Sequence, residues 1–167
     1  MKCNTNSEQY KRGMKLQNAV QQELGEEFQE VIRVREDWLP SIDPYLRESQ
    51  LNLLEKTWGD LVVRLTPEGE TIFVECVSLK DERSRFPESK IRMFEGDNKW
   101  YAFAWDGKLQ KIIPSRTWNG YARKLESFFF RGSPYRKFTK WHIRNIRMGC
   151  TSVLEFKALL ESCNESR

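Results

Sequence analysis

The chain has 167 residues, of which 39% are hydrophobic, 31% charged and 13% aromatic, with a net charge of +4. This length fits one domain over residues 1–167, and the aromatic content excludes a disordered chain. The longest apolar run, residues 100–105, is far too short to span a bilayer, and no apolar signal segment follows Met1. We therefore expect a soluble, cytoplasmic protein that is not bound to a membrane.

The first part of the chain predicts two helices with a strand between them. Apolar spacings of three and four predict a helix that Asn6 or Ser7 caps and Gly25 ends. Residues 28–35 alternate between apolar and polar and predict a strand, although their Glu-rich start is also compatible with a longer first helix. Residues 47–57 predict a second helix.

The middle of the chain predicts two hairpins joined by a loop and a short helix. The first hairpin turns at residues 67–70, and the second turns at the tight-turn dipeptide Asp106-Gly107. The predicted segments are a strand over 60–66, a strand over 71–79, a loop over 81–90, one or two helical turns over 88–94, and strands over 100–105 and 109–113. Together these elements predict an α/β fold with a central mixed β-sheet flanked by helices.

The last part, residues 116–167, is predicted as a basic, aromatic and helical extension. The pattern predicts a helix over 117–130, a break at 132–134, and a last helix that Ser152 caps and that ends near Glu161.

Positive charge is concentrated in residues 108–147, which hold eleven basic residues and one acidic residue, a net charge of +10. The rest of the chain carries −6. Eight aromatic residues are interleaved with these charges, a pattern typical of proteins that bind nucleic acids, although a solvated face over an aromatic core is the simpler alternative. The candidate nucleic-acid contacts are Arg116, Arg123, Lys124, Arg131, Arg136, Lys137, Lys140 and Arg144.

Other catalytic chemistry finds little support in the sequence. Cys3, Cys76, Cys150 and Cys163 lie too far apart for paired zinc ligands, and we expect free thiols. The single histidine, His142, has no acidic neighbour in sequence to orient it, which disfavours triad catalysis. The phosphate-binding pattern GxxxxGK is absent from the sequence.

The first hairpin carries a candidate pair of carboxylates. With its turn centred between Glu68 and Gly69, Asp60 is expected opposite Val77. Glu75 then shares a face with Asp60 at a diagonal backbone separation of roughly 7 to 8 Å. Such a pair can bind a divalent metal that stabilises the charge of phosphodiester hydrolysis.

A simpler alternative is that Asp60 merely opens a strand and that Glu75 points to solvent. However, the run from Ile72 to Val77 has the composition of a strand buried on both faces, where an unpaired carboxylate costs several kcal/mol. This composition favours a functional pair.

The order helix, strand, WGDLVV, turn, FVECVSLK, short helix and WYAFAW resembles the PD-(D/E)XK nuclease superfamily, with its restriction-endonuclease-like fold, over about residues 8–115. In this family an Asp opens one hairpin strand, an acidic residue lies on the next, and a Lys follows two positions later. Asp60 and Glu75 match the two metal-ligand positions. The resemblance also implies Mg²⁺ or Mn²⁺ as the cofactor and the backbone carbonyl of Cys76 as a further ligand.

The chain departs from the family pattern at two positions. Val77 occupies the position of the motif Lys, whose role is to orient or activate the water and to stabilise charge on the phosphate. Lys80 and Lys90 are candidate substitutes, with Lys90 slightly preferred. Many members carry a Glu on the first helix that points at the metal, and Gln17 occupies the corresponding position here.

These observations predict a metal-dependent DNA endonuclease, with DNA favoured over RNA and an association with the nucleoid. The family implies a possible homodimer. One alternative is a catalytically inactive nucleic-acid-binding module of the same fold, and another is a protein-interaction domain whose basic face meets an acidic partner.

Overall fold

The computed structural model describes residues 8–79, 85–105, 107–138, 144–146 and 153–165. The helices are α1 (Glu8–Gly25), α2 (Leu39–Ile42), α3 (Glu48–Trp58), α4 (Glu88–Met93), α5 (Ser115–Ala122) and α6 (Val153–Glu165), and a π-helical segment covers Val34–Trp38. The strands are β1 (Glu30–Arg33), β2 (Leu61–Arg64), β3 (Ile72–Ser78), β4 (Arg85–Pro87), β5 (Lys99–Trp105), β6 (Lys108–Pro114), β7 (Ser127–Phe130) and β8 (Ser133–Lys137).

A mixed five-stranded sheet forms the centre of the fold, in the order β1-β2-β3-β5-β6. The pairs β1/β2, β2/β3 and β5/β6 are antiparallel, whereas β3 and β5 are parallel. A parallel neighbour requires a crossover, and α4 lies on this connection. The predicted α/β class, with a mixed sheet flanked by helices, is confirmed.

Each face of this sheet supports its own apolar core. Along β3, Ile72, Val74 and Cys76 lie in the cluster that contains α1 and α6 residues, including Val20 and Phe156. The alternate residues Phe73 and Val77 lie in the cluster with residues of α4 and α5, including Ile91 and Trp118, and side chains of α3 pack against it. Because both faces of β3 are buried, its sequence is a nearly continuous apolar run.

The C-terminal third differs from its helical prediction. Helix α5 ends at Ala122, and residues 127–130 form a strand of a second sheet in the order β4-β8-β7. Phe128 and Phe130 lie two residues apart, and both rings lie 6.1 Å from the Tyr135 ring. The prediction of a helix over 117–130 is confirmed as far as Ala122 and was wrong for residues 127–130, because these rings follow the two-residue period of a strand.

Two further segments differ from their predictions. Residues 85–87, placed in a loop, form β4 because they pair with β8. The strand predicted over residues 28–35 ends at Arg33 and continues as the π-helical segment. The last helix begins at Val153, and its predicted cap Ser152 lies outside the described residues.

Among the described residues, none of the helices combines the length and the hydrophobicity that a membrane span requires.

Gly59 offers a test of how tightly α3 is joined to β2. Its φ is +84°, and a Cβ atom there would lie 2.8 Å from Phe94 Cε1 and 3.1 Å from the Val74 carbonyl oxygen. Both the positive φ and the crowding oppose a side chain, so we expect Gly59→Ala to lower the free energy of unfolding by roughly 2 kcal/mol or more. Urea denaturation measures this change.

Gly120→Ala is the matched control, because nothing lies within 4 Å of its Cβ position and it sits within α5. This control should leave stability unchanged or slightly raised. Equal effects of the two substitutions would contradict the packing described around Gly59.

Candidate metal centre

Asp60 is held at the junction between α3 and β2 by both its backbone and its side chain. Its N–H donates to the Val74 carbonyl and its carbonyl accepts from the Val34 N–H, each at 2.9 Å. Its Oδ2 accepts from the Cys76 N–H at 2.8 Å, and its Oδ1 accepts from Gln17 Nε2 at 3.3 Å. The residue is 8% exposed, and these hydrogen bonds fix the orientation of its carboxylate.

The ladder between β2 and β3 brings Asp60 beside Glu75. Leu61 pairs with Val74, so the next position along the ladder places Asp60 opposite Glu75 rather than opposite Val77. The turn is longer than predicted, since β2 ends at Arg64 and β3 begins at Ile72. The predicted register was wrong by two residues, but the shared face was right because side chains alternate with a period of two.

Glu75 is 7% exposed and forms an ion pair with Lys90 of α4. Lys90 Nζ lies 3.3 Å from Glu75 Oε1. Glu75 lies in β3 and Lys90 lies in α4, on the connection between β3 and β5, so α4 places the ammonium group on the face of the sheet that carries Glu75.

Val77, at the position of the motif Lys, is 6% exposed and packs in the apolar cluster on this face. The ammonium group that approaches the carboxylates therefore comes from Lys90 of α4 and not from a lysine of β3. The other candidate substitute, Lys80, lies outside the described residues.

Gln17 lies where the resemblance placed a polar side chain of the first helix. It belongs to α1, which packs on the opposite face of the sheet from α4, and yet its amide reaches Asp60. Side chains from both faces therefore converge on the Asp60–Glu75 pair at the start of β2.

A third carboxylate, Glu55 of α3, interacts with Asp60 and was missed in the sequence. Its Oε2 lies 3.5 Å from Arg35 Nη1. Burial, then the charge of Asp60 and a hydrogen bond with it, raise the pKa of Glu55 from 4.5 to about 7. A signal was available, because Glu55 falls within the stripe formed by Leu51 and Trp58, which pack against the core.

The carboxylates oppose one another's ionisation. Burial and then the charge of Asp60 raise the pKa of Glu75 well above its ordinary value, against the lowering effect of Lys90. Burial lowers the pKa of Lys90, but Glu75 and Asp60 raise it more, so its net pKa is above the ordinary value of 10.5. Lys90 is therefore an ammonium ion at neutral pH.

Cys76 contributes its backbone to this centre. Burial, followed by the charges of Asp60 and Glu75, raises the pKa of the Cys76 thiol well above its ordinary value. The thiol is free and buried in the cluster beneath α1. A buried thiol of this kind is not a metal-binding thiolate.

The donor set fits a hard divalent cation that retains part of its hydration shell. Within the ranges that the structure describes, no three His, Cys, Asp or Glu side chains are grouped closely enough to hold a metal ion. Mg²⁺ is commonly bound through one or two carboxylates, with waters and substrate phosphates completing its shell. Asp60 and Glu75 provide two such carboxylates, and a cation between them would offset the repulsion that raises the pKa of Glu75.

The predicted nucleic-acid contacts fall into different structural settings. Lys124, Arg131, Lys137 and Arg144 are exposed. Arg116 and Arg123 form exposed ion pairs with Asp97 and Glu95, and Lys140 lies outside the described residues.

Arg136 has an internal role instead. Its Nη1 donates to the carbonyls of Arg123 and Leu125, and its Nη2 lies 3.0 Å from Glu88 Oε1 of α4. These contacts occupy both Nη groups of Arg136, and its phosphate contact stays a prediction.

Comparison with known proteins adds no assignment: no protein-family model matches the chain, and no curated protein is significantly similar to it.

The raised pKa of Glu55 predicts a pH-dependent stability in EDTA. Its folded-state pKa of about 7 exceeds 4.5, so between these pH values the folded state retains a proton that the unfolded state has lost. Stability therefore falls as the pH rises through this window. We expect Glu55→Gln to raise the free energy of unfolding by roughly 1 to 3 kcal/mol at pH 8, and by much less at pH 4.5.

Urea denaturation across this pH range measures the effect. The matched control is Glu68→Gln, which changes an exposed carboxylate in the hairpin turn. A stabilisation by Glu55→Gln that is the same at pH 4.5 and pH 8 would contradict the electrostatic origin.

Proposed function

We propose that the chain is a divalent-metal-dependent nuclease of the PD-(D/E)XK type that hydrolyses phosphodiester bonds in DNA. The observation that carries this proposal is the contact between Lys90 Nζ and Glu75 Oε1, beside Asp60. Two carboxylates and an ammonium group are the polar groups of the family's motif, and here the ammonium comes from α4 because Val77 occupies the usual position.

The order of elements supports the same proposal. A helix and a strand precede a hairpin whose first strand follows Asp60 and whose second strand carries Glu75. The short helix α4 then leads to the parallel strand β5. The resemblance to the restriction-endonuclease-like fold depends on this order of elements.

In this proposal Asp60, Glu75 and the backbone carbonyl of Cys76 hold Mg²⁺ or Mn²⁺. The metal supplies stabilisation of charge on the phosphate and activation of the attacking water. Gln17 orients Asp60 through its amide, and the Cys76 N–H holds the other oxygen of the same carboxylate. Both contacts fix the carboxylate before substrate arrives, which lowers the cost of organising the site.

Lys90 acts as a fixed positive charge. Its net pKa is raised, so it remains protonated at neutral pH and is unsuited to remove a proton from water. A protonated amine beside the carboxylates can instead donate to a phosphate oxygen and stabilise the negative charge that develops there. We therefore assign Lys90 to charge stabilisation.

The exposed basic residues would contact the phosphate backbone of the substrate. Lys124, Arg131, Lys137 and Arg144 are candidates, and such contacts position a nucleic acid without selecting its sequence. A homodimer, implied by the resemblance, and an association with the nucleoid, which would follow from DNA binding, belong to the same proposal.

The second candidate is a binding module that has lost the chemistry. The burial of Val77 and the neutral amide of Gln17 favour it, since both replace charged groups of the motif. Nucleic-acid binding that is unaffected by EDTA, without cleavage in Mg²⁺ or Mn²⁺, would support this function.

Cleavage assays with Asp60→Asn and Glu75→Gln test the metal centre. Plasmid, linear, single-stranded and branched DNA are incubated with Mg²⁺ or Mn²⁺. We expect each substitution to lower the cleavage rate by roughly 10²- to 10⁴-fold, since each removes a charged metal ligand. Glu68→Gln serves as the control and should cut at the wild-type rate. Equal cleavage by all four proteins would contradict the proposal.

Lys90→Met tests the assignment of the ammonium group. Removing a preorganised charge from a buried site should lower the cleavage rate by roughly 10²- to 10³-fold, and Lys90→Arg should recover part of it. Lys11→Met, on the exposed surface of α1, is the matched control. If Lys90→Met cuts at the wild-type rate, the motif Lys is supplied by another residue.

A further inference from the structure

The second sheet has an inner face that belongs to the core and an outer face that does not. Phe86 of β4 is fully buried in the apolar cluster with residues of α4 and α5. It pairs with Arg136 of β8, whose guanidinium contacts backbone carbonyls on the same side. Because side chains alternate along a strand, the adjacent residues Arg85, Tyr135 and Lys137 lie on the opposite side, the outer face.

Three aromatic residues form a layer on the outer face. Phe128 pairs with Tyr135, and Phe130 lies two residues further along β7, so all three share this face. The Tyr135 ring lies 6.1 Å from each of the other two rings. All three residues are partly exposed, and among the described residues neither apolar core cluster includes them. Partly exposed rings in contact with one another, rimmed by polar residues, indicate an interaction surface.

A guanidinium group lies over this aromatic layer. Arg85 is exposed, and its Cζ is 3.8 Å from the centroid of the Phe130 ring and 5.2 Å from that of the Tyr135 ring. Arg131, between β7 and β8, lies 5.1 Å from the Phe130 centroid. Nucleobases stack on arginine guanidinium planes as well as on aromatic rings, and the same guanidinium can donate to phosphate oxygens.

The charge of the second sheet favours a polyanionic partner. Its three strands and the turn between β7 and β8 contain no acidic residue and four basic ones, Arg85, Arg131, Arg136 and Lys137. Of the adjacent acidic residues, Glu88 pairs with Arg136 and Glu126 precedes β7. Proteins that bind single strands combine cations that contact phosphates with exposed rings that stack on bases. In a duplex the bases already stack on one another, so such a surface selects an unpaired strand.

We propose that the outer face, formed by Arg85, Phe128, Phe130, Tyr135 and Lys137, binds a single-stranded segment of DNA. Bases stack on the Arg85 guanidinium and on the aromatic layer, and the basic side chains around the layer contact the phosphates. The outer face thus names the substrate class of the chain as an unpaired strand, an assignment that rests on the proposed nuclease function.

Strand β4 and helix α4 connect the outer face with the carboxylate centre. Arg85 and Lys90 are five positions apart in the chain, so their Cα atoms are at most about 18 Å apart. Lys90 in turn contacts Glu75. A strand of several nucleotides that is held at the outer face can therefore extend to the metal centre.

Fluorescence anisotropy in EDTA, which prevents metal-dependent cleavage, tests this proposal. The labelled probes are an oligothymidylate of about twelve nucleotides, an abasic strand of the same length and a duplex of the same length. The abasic strand keeps the phosphates and lacks the bases. We expect the wild type to bind the oligothymidylate at least about tenfold more tightly than the abasic strand, because stacking contributes only when bases are present.

Tyr135→Leu removes the central ring of the layer and keeps an apolar side chain. The affinity for the oligothymidylate should fall about five- to thirtyfold, and the affinities for the abasic strand and the duplex should stay within about twofold of wild type. Phe129→Leu is the matched control, because Phe129 lies between Phe128 and Phe130 on β7, points to the other face and is 77% exposed. It should leave all three affinities within about twofold of wild type.

Arg85→Lys tests the outer face without altering a packed ring. The position is exposed, and the substitution keeps the charge but removes the planar guanidinium. The affinity for the oligothymidylate should fall about three- to tenfold, and the affinity for the abasic strand should stay within about twofold of wild type. This variant keeps the test decisive if Tyr135→Leu does not fold.

The outcomes separate this proposal from the proposed nuclease function. Equal affinity of the wild type for the oligothymidylate and the abasic strand, or equal effects of the outer-face substitutions and Phe129→Leu, would overturn the assignment of the outer face. Because binding is measured without metal, the expected binding pattern without any cleavage in Mg²⁺ or Mn²⁺ would overturn the nuclease function alone. Cleavage that depends on Asp60 and Glu75, without a preference for bases in binding, would overturn the outer face alone.

Discussion

The close approach of buried carboxylates is the constraint on which the rest of the structure depends. Asp60 and Glu75 face each other across the start of the β2/β3 ladder, in a region where an ionised group loses most of its hydration. An amide from α1 and a backbone N–H from β3 donate hydrogen bonds to Asp60, and an ammonium group from α4 forms an ion pair with Glu75. These contacts offset part of the free-energy cost of burying the two carboxylates. Three separate elements are thereby arranged around one end of β2.

The sequence was informative wherever a pattern was local. The apolar run of β3 with Glu75 inside it signalled a buried acid, and the two-residue period placed Asp60 on the same face even though the register was off by two. The sequence left both Lys80 and Lys90 as candidates for the missing motif Lys. The contact of Lys90 with Glu75 depends on how α4 packs across the sheet. Long-range packing of this kind leaves no regular spacing in the sequence.

Glu55 and the second sheet are two further features that local sequence patterns do not reveal. Glu55 was overlooked because a single polar residue in a helical stripe has many explanations, and only its approach to Asp60 distinguishes it. Residues 127–130 were assigned to a helix because their strand period extends over only four residues. Their pairing with β8, which in turn pairs with β4, is what selects the strand.

Arg136 links the C-terminal third of the chain to helix α4, which carries Lys90. It joins β8 to Glu88 at the start of α4 and also holds the carbonyls that follow α5. Helix α4 has only six residues and follows directly from β4, which is itself paired with β8. A helix this short has little stability of its own and takes its position from its surroundings. The C-terminal third therefore braces the helix that carries Lys90, and removing residues 116–167 would remove contacts that position this ammonium group.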